Sequence, residues 1–188
     1  MPSNSSHTIT ALVQDQPGVL NRVTSMIRRR NFNISSLSVG HSEIEGLSRM
    51  TFVVEGDELV LEQIAKQLGK LINVVKVSHI DNMNCVSREF ALIRVQTNPD
   101  TRQEIIQIAT IFRADVIDVA RNSMIVETTG DSGKLDSLVQ LLQPFGIVEV
   151  IRSGVLAMKR GPLDLEEPDS TEIKQPISRI KGKAELGW

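Results

Sequence analysis

The sequence predicts an α+β fold of two tandem ferredoxin-like βαββαβ units, each an antiparallel sheet with its helices on one face. Three observations lead there. Runs of alternating polarity and runs with apolar residues three and four apart succeed one another in the order β-α-β-β-α-β. That order, the split βαβ arrangement of ferredoxin-like folds, then recurs. The last helix of each repeat also carries matching apolar positions: Leu61, Ile64, Leu68 and Leu71 in one, Leu135, Leu138, Leu142 and Phe145 in the other. Each repeat is about 75 residues long, within the range of a small domain.

The elements follow in order. His7 to Gln14 alternates as a half-buried strand, and Val19, Leu20, Val23, Met26 and Ile27 keep the spacing of an amphipathic helix. Arg28-Arg29-Arg30 complement the negative end of that helix. Asn31-Phe32-Asn33 breaks it, and Ile34 to Val39 and Leu47 to Val54 read as strands. Asp57 suits the cap of a second helix, and Val74 to Ile80 is the fourth strand. In the repeat, Phe90 to Gln96 is a strand, and Thr101 with Glu104 reads as a capping box before the next helix. Val116 to Ala120 and Met124 to Thr128 form strands around a tight turn at Arg121-Asn122-Ser123. Ser132-Gly133 precedes the last helix, Gly146 ends it, and Ile147 to Ile151, prolonged by Val155 to Met158, is the last strand. The expected domains are 7–82 and 83–160, with a flexible N-terminus at 1–6. The tail 161–188, acidic and then basic, with three prolines and no apolar period, is expected to be disordered or to order on a partner.

The stretch that carries chemistry is Asp15-Gln16-Pro17-Gly18-Val19-Leu20, between the first strand and first helix. Pro17 suits the first helical turn, and Gly18 lets another molecule approach the backbone closely. Free N–H groups there, at the positive end of the helix dipole, favour a carboxylate, while Asp15 can accept bonds from an ammonium group. A positive helix end beside a fixed carboxylate complements a free amino acid. The alternative is a plain cap, with Asp15 on the orphan N–H groups and Pro and Gly only making the turn. The second repeat has Thr97-Asn98-Pro99-Asp100 instead, and Asp100 brings a negative charge where Gly18 is open. Ligand binding is therefore expected in the first unit, and a structural or docking role in the second.

Composition excludes several classes. A net charge of −2, five Phe, one Trp and no Tyr give no basic or base-stacking surface for nucleic acid. Lone Cys85 fits a reducing compartment and supplies no multi-cysteine metal site. No apolar run approaches the roughly 20 residues of a membrane helix, and Met1 to Ser6 lacks the parts of a signal peptide, so a cytoplasmic location is expected. There is no phosphate loop, no G-x-S-x-G elbow and no H-E-x-x-H, so no catalytic or metal-binding residue is assigned. His7, His41 and His79 read as surface or edge residues.

The element order with Asp15-x-Pro17-Gly18-x-Leu20 resembles the ACT domain, a family of small amino-acid-sensing modules. The N-terminal unit would be an ACT domain and the C-terminal unit ACT-like. Asn33-Ile34-x-Ser36-Leu37-x-Val39, Leu47-Ser48-Arg49-Met50-Thr51 and Lys66-Gln67-Leu68-x-Lys70-Leu71 are similar to the regulatory small subunits of acetolactate synthase. So are Ile111-Phe112-Arg113, Ile117-Asp118-Val119, Thr129-Gly130-x-Ser132-Gly133-Lys134-Leu135-Asp136 and Arg152-Ser153-Gly154 in the second unit. The resemblance covers roughly residues 7 to 160 and implies a chain with no active site of its own. It implies a catalytic partner carrying thiamine diphosphate, Mg²⁺ and FAD, which this chain would activate and subject to feedback inhibition by valine or a related amino acid. It also implies a homodimer with the effector between two ACT domains, held by Asp15, Gly18 and Leu20 of one protomer and Asn33 and Ile34 of the other. Asn33 reads equally as a helix terminator. The rival is a free-standing tandem-ACT sensor that regulates another enzyme or transcription. A small enzyme on the same scaffold would need turnover by the purified chain alone.

Overall fold

The computed structural model describes residues 5–81, 84–161 and 173–174. The elements are β1 (Ser5–Gln14), α1 (Val19–Arg29), β2 (Asn33–His41), β3 (Leu47–Gly56), α2 (Glu58–Leu68), β4 (Val74–Ile80) and β5 (Cys85–Gln96). They continue as α3 (Arg102–Ile111), β6 (Asp115–Val119), β7 (Ser123–Gly130), α4 (Ser132–Leu142), β8 (Ile147–Arg152), β9 (Leu156–Lys159) and β10 (Ile173–Lys174). The described residues divide between Val86 and Ser87 into two compact units, with residues 157–161 and Ile173–Lys174 belonging to the first. Residues 82–83, at the expected domain boundary, lie outside the described residues. So does the expected tail, apart from Gly161 and the β10 pair. Of the expected flexible N-terminus, Ser5 and Ser6 open β1 opposite Gly56 and Glu55.

In the first unit the strands lie in the order β10-β4-β1-β3-β2, all antiparallel. Alternation sends Ile9, Ala11 and Val13 of β1 and Met50, Phe52 and Val54 of β3 to the face that carries the helices. There they meet Val23 and Ile27 of α1 and Ile64 and Leu68 of α2 in one core, each at 2% exposure or less. The register matters for function. Gln14 lies opposite Leu47, and His41 opposite Ser48, so the ends of β1 and β2, the start of β3 and the start of α1 share one end of the sheet. Asn33, opposite Glu55, lies at the other end.

The second unit repeats this plan with the order β6-β7-β5-β8 and a core of Ile93, Val95, Ile105, Met124, Val126, Leu138 and Leu142. Among the described residues, no helix is long and apolar enough to cross a membrane.

Several local expectations need correction. α1 begins at Val19, so Pro17 stands before the helix, and the N-cap is Gly18 itself. The left-handed residue that ends α1 is Asn31 (φ 57), while Asn33 already belongs to β2. The 5→0 closure Phe32 N–H to Ile27 O (3.3 Å) completes that stop, and Ala114 N–H to Ala109 O (2.8 Å) repeats it after Arg113 (φ 51). The capping box at Thr101 does not form, because the Thr101 hydroxyl is engaged with Asn98. Asp131 caps α4 through Lys134 N–H at 2.8 Å, which places Ser132 and Gly133 inside the helix. Finally, β8 and β9 are separate strands, because Gly154 turns the chain at φ 76.

Candidate functional site

The first-unit turn is built from two positioning bonds and one backbone requirement. Asp15 N–H donates to Gly46 O at 2.8 Å, tying the end of β1 to the β2–β3 loop. Gln14 N–H donates to Asn73 O at 2.9 Å on the other side. Asn73 is 9% exposed; its carboxamide donates to Gln14 Oε1 and accepts from Arg22 Nη1, each at 2.7 Å, which braces the root of the turn. Gly18 then takes φ +85, a left-handed conformation in which an L side chain is strained by roughly 1–2 kcal/mol. A Cβ there would meet nothing within 4 Å, so the backbone is required for its conformation and remains open to an incoming molecule.

No side chain caps α1. Val19 N–H reaches Gln16 O at 3.3 Å, and Arg22 N–H bonds to Gly18 O at 3.0 Å. Among the described residues, the N–H groups of Gly18, Leu20 and Asn21 have no acceptor. Unpaired donors at a positive helix end favour an anion. α2 and α4, by contrast, are closed by Asp57 and Asp131.

Asp15 does not cap the helix; its Oδ2 lies 3.2 Å from His41 Nδ1, with the side chains 47% and 88% exposed. This is the residue sequence reading missed. His41 is the last residue of β2, and only the strand register reveals that it stands beside Asp15. Gln16 and Pro17 are exposed, and Leu20 is 44% exposed at the mouth, a suitable wall for an aliphatic side chain. Val19, at 4% exposure, faces the core.

Asn33 and Ile34 are not brought to this corner within one chain. Eight strand steps separate Asn33 from His41, roughly 25 Å at the usual rise. The Asn33 carboxamide donates to Glu55 Oε2 at 3.2 Å, and Ile34 packs, partly buried, against the core. Only a second copy could carry them to Asp15 and Gly18.

The second-unit turn has the same frame: Gln96 N–H to Gly146 O at 2.9 Å and Thr97 N–H to Asn122 O at 3.0 Å. Here a side chain fills the turn itself, although inside α3 the N–H groups of Gln103 and Glu104 have no acceptor among the described residues, as with Leu20 and Asn21 in α1. Asn98 Oδ1 accepts from Asp100 N–H and Thr101 N–H, both at 2.9 Å. The side chain in the slot is Asn98 rather than the Asp100 that the sequence pointed to. No group of three or more His, Cys, Asp or Glu among the described residues is placed to hold a metal ion.

Comparison with known proteins gives a consistent neighbourhood. Residues 9–76 match a family model described as the acetolactate-synthase-small-subunit-like ACT domain, and residues 88–161 match one described as the small subunit of acetolactate synthase. An acetolactate synthase small subunit of Mycobacterium bovis is 50% identical over 160 residues, which are 85% of this chain and 95% of that protein. A probable acetolactate synthase small subunit of Archaeoglobus fulgidus is 52% identical over 155 residues, 82% of this chain and 97% of the other. The crystal structure of the small subunit from Thermotoga maritima superposes with a TM-score of 0.81 at 43% identity, covering 85% of this chain and 99% of that one.

Proposed function

This chain belongs to the family of acetolactate synthase small subunits, and we propose that it activates a catalytic large subunit and makes it sensitive to valine or a related branched-chain amino acid. The thiamine diphosphate, Mg²⁺ and FAD of the holoenzyme belong, in this proposal, to that large subunit, and the setting is cytoplasmic. There the complex joins two pyruvates, or pyruvate and 2-oxobutyrate, with loss of CO₂, in the biosynthesis of valine, leucine and isoleucine. This chain supplies no catalytic group.

The observation that carries the proposal is the bare start of α1: unpaired N–H groups and the Asp15 carboxylate face one exposed corner. The donors suit an α-carboxylate, Asp15 suits an α-ammonium, and exposed Leu20 suits an aliphatic side chain. Gln16, Pro17 and Val19 shape the turn.

The rest of the effector site comes from a second copy. β2 is an edge strand of the first sheet, with no partner on its outer side among the described residues, whereas at the other edge β10 pairs with Lys76 and Val77 of β4. Its nine residues carry no charged side chain besides His41, so little opposes strand addition. Antiparallel pairing of β2 with itself about Leu37 sets the partner's Asn33 beside His41, and so beside Asp15. A two-fold dimer has two such corners. The effector favours one dimer arrangement because it touches both protomers, and that arrangement restrains the large subunit; equal affinity for both would shift nothing.

Titration calorimetry of the purified chain with valine, leucine and isoleucine tests the site. Saturable binding with one effector per protomer is expected. Heat no greater than that of a D-amino-acid control overturns the assignment. Co-purification with a thiamine-diphosphate enzyme separates this role from that of a free-standing sensor.

A further inference from the structure

We propose that His41 is a positioning residue of the effector corner, and that its protonated ring competes with the effector's ammonium group for Asp15. This rests on the reading that the corner binds an amino acid. His41 Nδ1 lies 3.2 Å from Asp15 Oδ2, at the mouth of a turn whose other Asp15 bond, N–H to Gly46 O, involves only the backbone. With the ring neutral, the contact is a single weak hydrogen bond that an ammonium group displaces. With the ring protonated it is an ion pair, and the incoming cation must break it.

The surrounding charges do not replace His41 in this role. In the loop after β2, Glu43 is engaged by Arg49 of β3, 2.9 Å from each carboxylate oxygen, and Glu45 stands exposed. On α1, Arg22 is committed to Asn73 Oδ1 at 2.7 Å. Among the described residues, His41 is the cation-forming side chain that reaches Asp15. His7 and His79 lie with ring centroids 5.9 Å apart and planes tilted by 58° near the opposite end of the sheet, where His7 pairs with Val54. The second unit has lost the device entirely. Thr97 replaces Asp15 in the turn, and Val119, opposite Met124 as His41 is opposite Ser48, ends the edge strand.

Histidine is the side chain that changes charge between about pH 5 and 8, so the competition is switched within an accessible range. Neither ionisable group of a free α-amino acid titrates there. An exposed ion pair sets the scale, which makes the effect roughly two- to fivefold in effector affinity.

The test is calorimetric titration of the full chain with valine at about pH 5.5 and about pH 8, for the parent, His41→Gln and Asp15→Asn. Parent affinity is expected to be two- to fivefold weaker at the lower pH. His41→Gln, an exposed change whose melting curve should match the parent's, should bind equally at both pH values and more tightly than the parent at the lower one. Asp15→Asn should bind weakly at both. PH-independent binding by the parent, or the same pH dependence in His41→Gln, overturns the role of His41 alone. A parent that binds none of valine, leucine and isoleucine at either pH overturns the effector reading and this inference with it.

Discussion

The two units place the same turn after the same strand and use it in opposite ways. In the first, Asp15-Gln16-Pro17-Gly18 leaves the Gly18 N–H open; in the second, Asn98 spends one carboxamide oxygen on its counterpart, Asp100 N–H, and on Thr101 N–H, while both helices keep unpaired N–H groups one step further in. The neighbours change sense as well. Asp15 becomes Thr97, Gly18 becomes Asp100 and Asn33 becomes Asp115, so groups proposed to receive a zwitterion give way to neutral or acidic ones, and the bracing Arg22 becomes Glu104. Polar groups of the second unit serve its own structure instead. Glu89, 6% exposed, is met by Arg152 at 3.7 Å and by the Ser132 hydroxyl at 3.4 Å, and Arg152 also holds Asp136 at 2.6 Å. The two turns thus differ in whether a side chain of the chain itself fills the approach to the helix start.

The sharpest way to test that contrast is to give the first turn the second turn's residue. Gly18→Asp puts a side chain at φ +85 and a negative charge where the effector carboxylate is expected. Binding should weaken by at least about 100-fold, which is roughly 2.7 kcal/mol. Inhibition of the holoenzyme by valine should disappear while its activation survives. A variant as valine-sensitive as the parent would place the effector elsewhere. The second-largest effect belongs to the second unit. Arg152→Ala leaves Glu89 buried beside only a distant hydroxyl, and should cost about 2 kcal/mol, discounted from the fully buried case because Arg152 is 31% exposed. Thermal unfolding should report it, and effector affinity should stay unchanged.

A third substitution asks whether emptying the second turn makes it a site. Asn98→Ala removes a cap and should destabilise that unit by about 1 kcal/mol. It should not add a second class of effector sites, because Thr97 offers no carboxylate where Asp15 stands in the first turn and Asp100 puts a negative charge on the approach of the anion. Additional binding heat in the variant would show that bare donors alone suffice.

The fold was legible in the sequence because burial writes a period. Alternation in β1 and the stripes of α2 and α4 report the core directly, and Asp57 caps where expected, through Val60 N–H at 2.9 Å. The site was half legible. Gly18 announced an unusual backbone, but Asp15's partner did not, since His41 becomes its neighbour only through the register of three strands. The same reason hid Asn73, which braces Gln14 from the start of another strand. The sequence pointed to Thr101 as the cap and not to Asn98. The outcome depends on backbone angles: Thr101 adopts φ −90, ψ −15, already helical, so its hydroxyl does not reach the helix donors.

The smallest expected effect lies in the loop that carries His41 toward Asp15. The second unit joins its edge hairpin by a tight turn closed by Ala120 N–H to Ser123 O at 2.8 Å, whereas the first uses the longer stretch Ser42 to Gly46 and fastens it separately. Ser42 Oγ accepts from Ile44 N–H at 3.1 Å, and Glu43 takes Arg49. A backbone hydrogen bond first, and the Arg49 bond second, hold the Glu43 carboxyl below the usual carboxylate range. A carboxyl with a lowered folded-state pKa stabilises the fold above its unfolded value and loses that contribution as the pH falls through the folded one. Glu43→Gln should therefore lower stability slightly at neutral pH, by less than about 0.5 kcal/mol because both partners are exposed. The difference between parent and variant should shrink as the pH falls below about 4. Effector affinity should fall no more than about twofold, as expected of a loop fastening outside the contact itself. A larger loss of affinity, with stability unchanged, would move Glu43 into the effector corner and make the longer loop of the first unit part of the recognition surface.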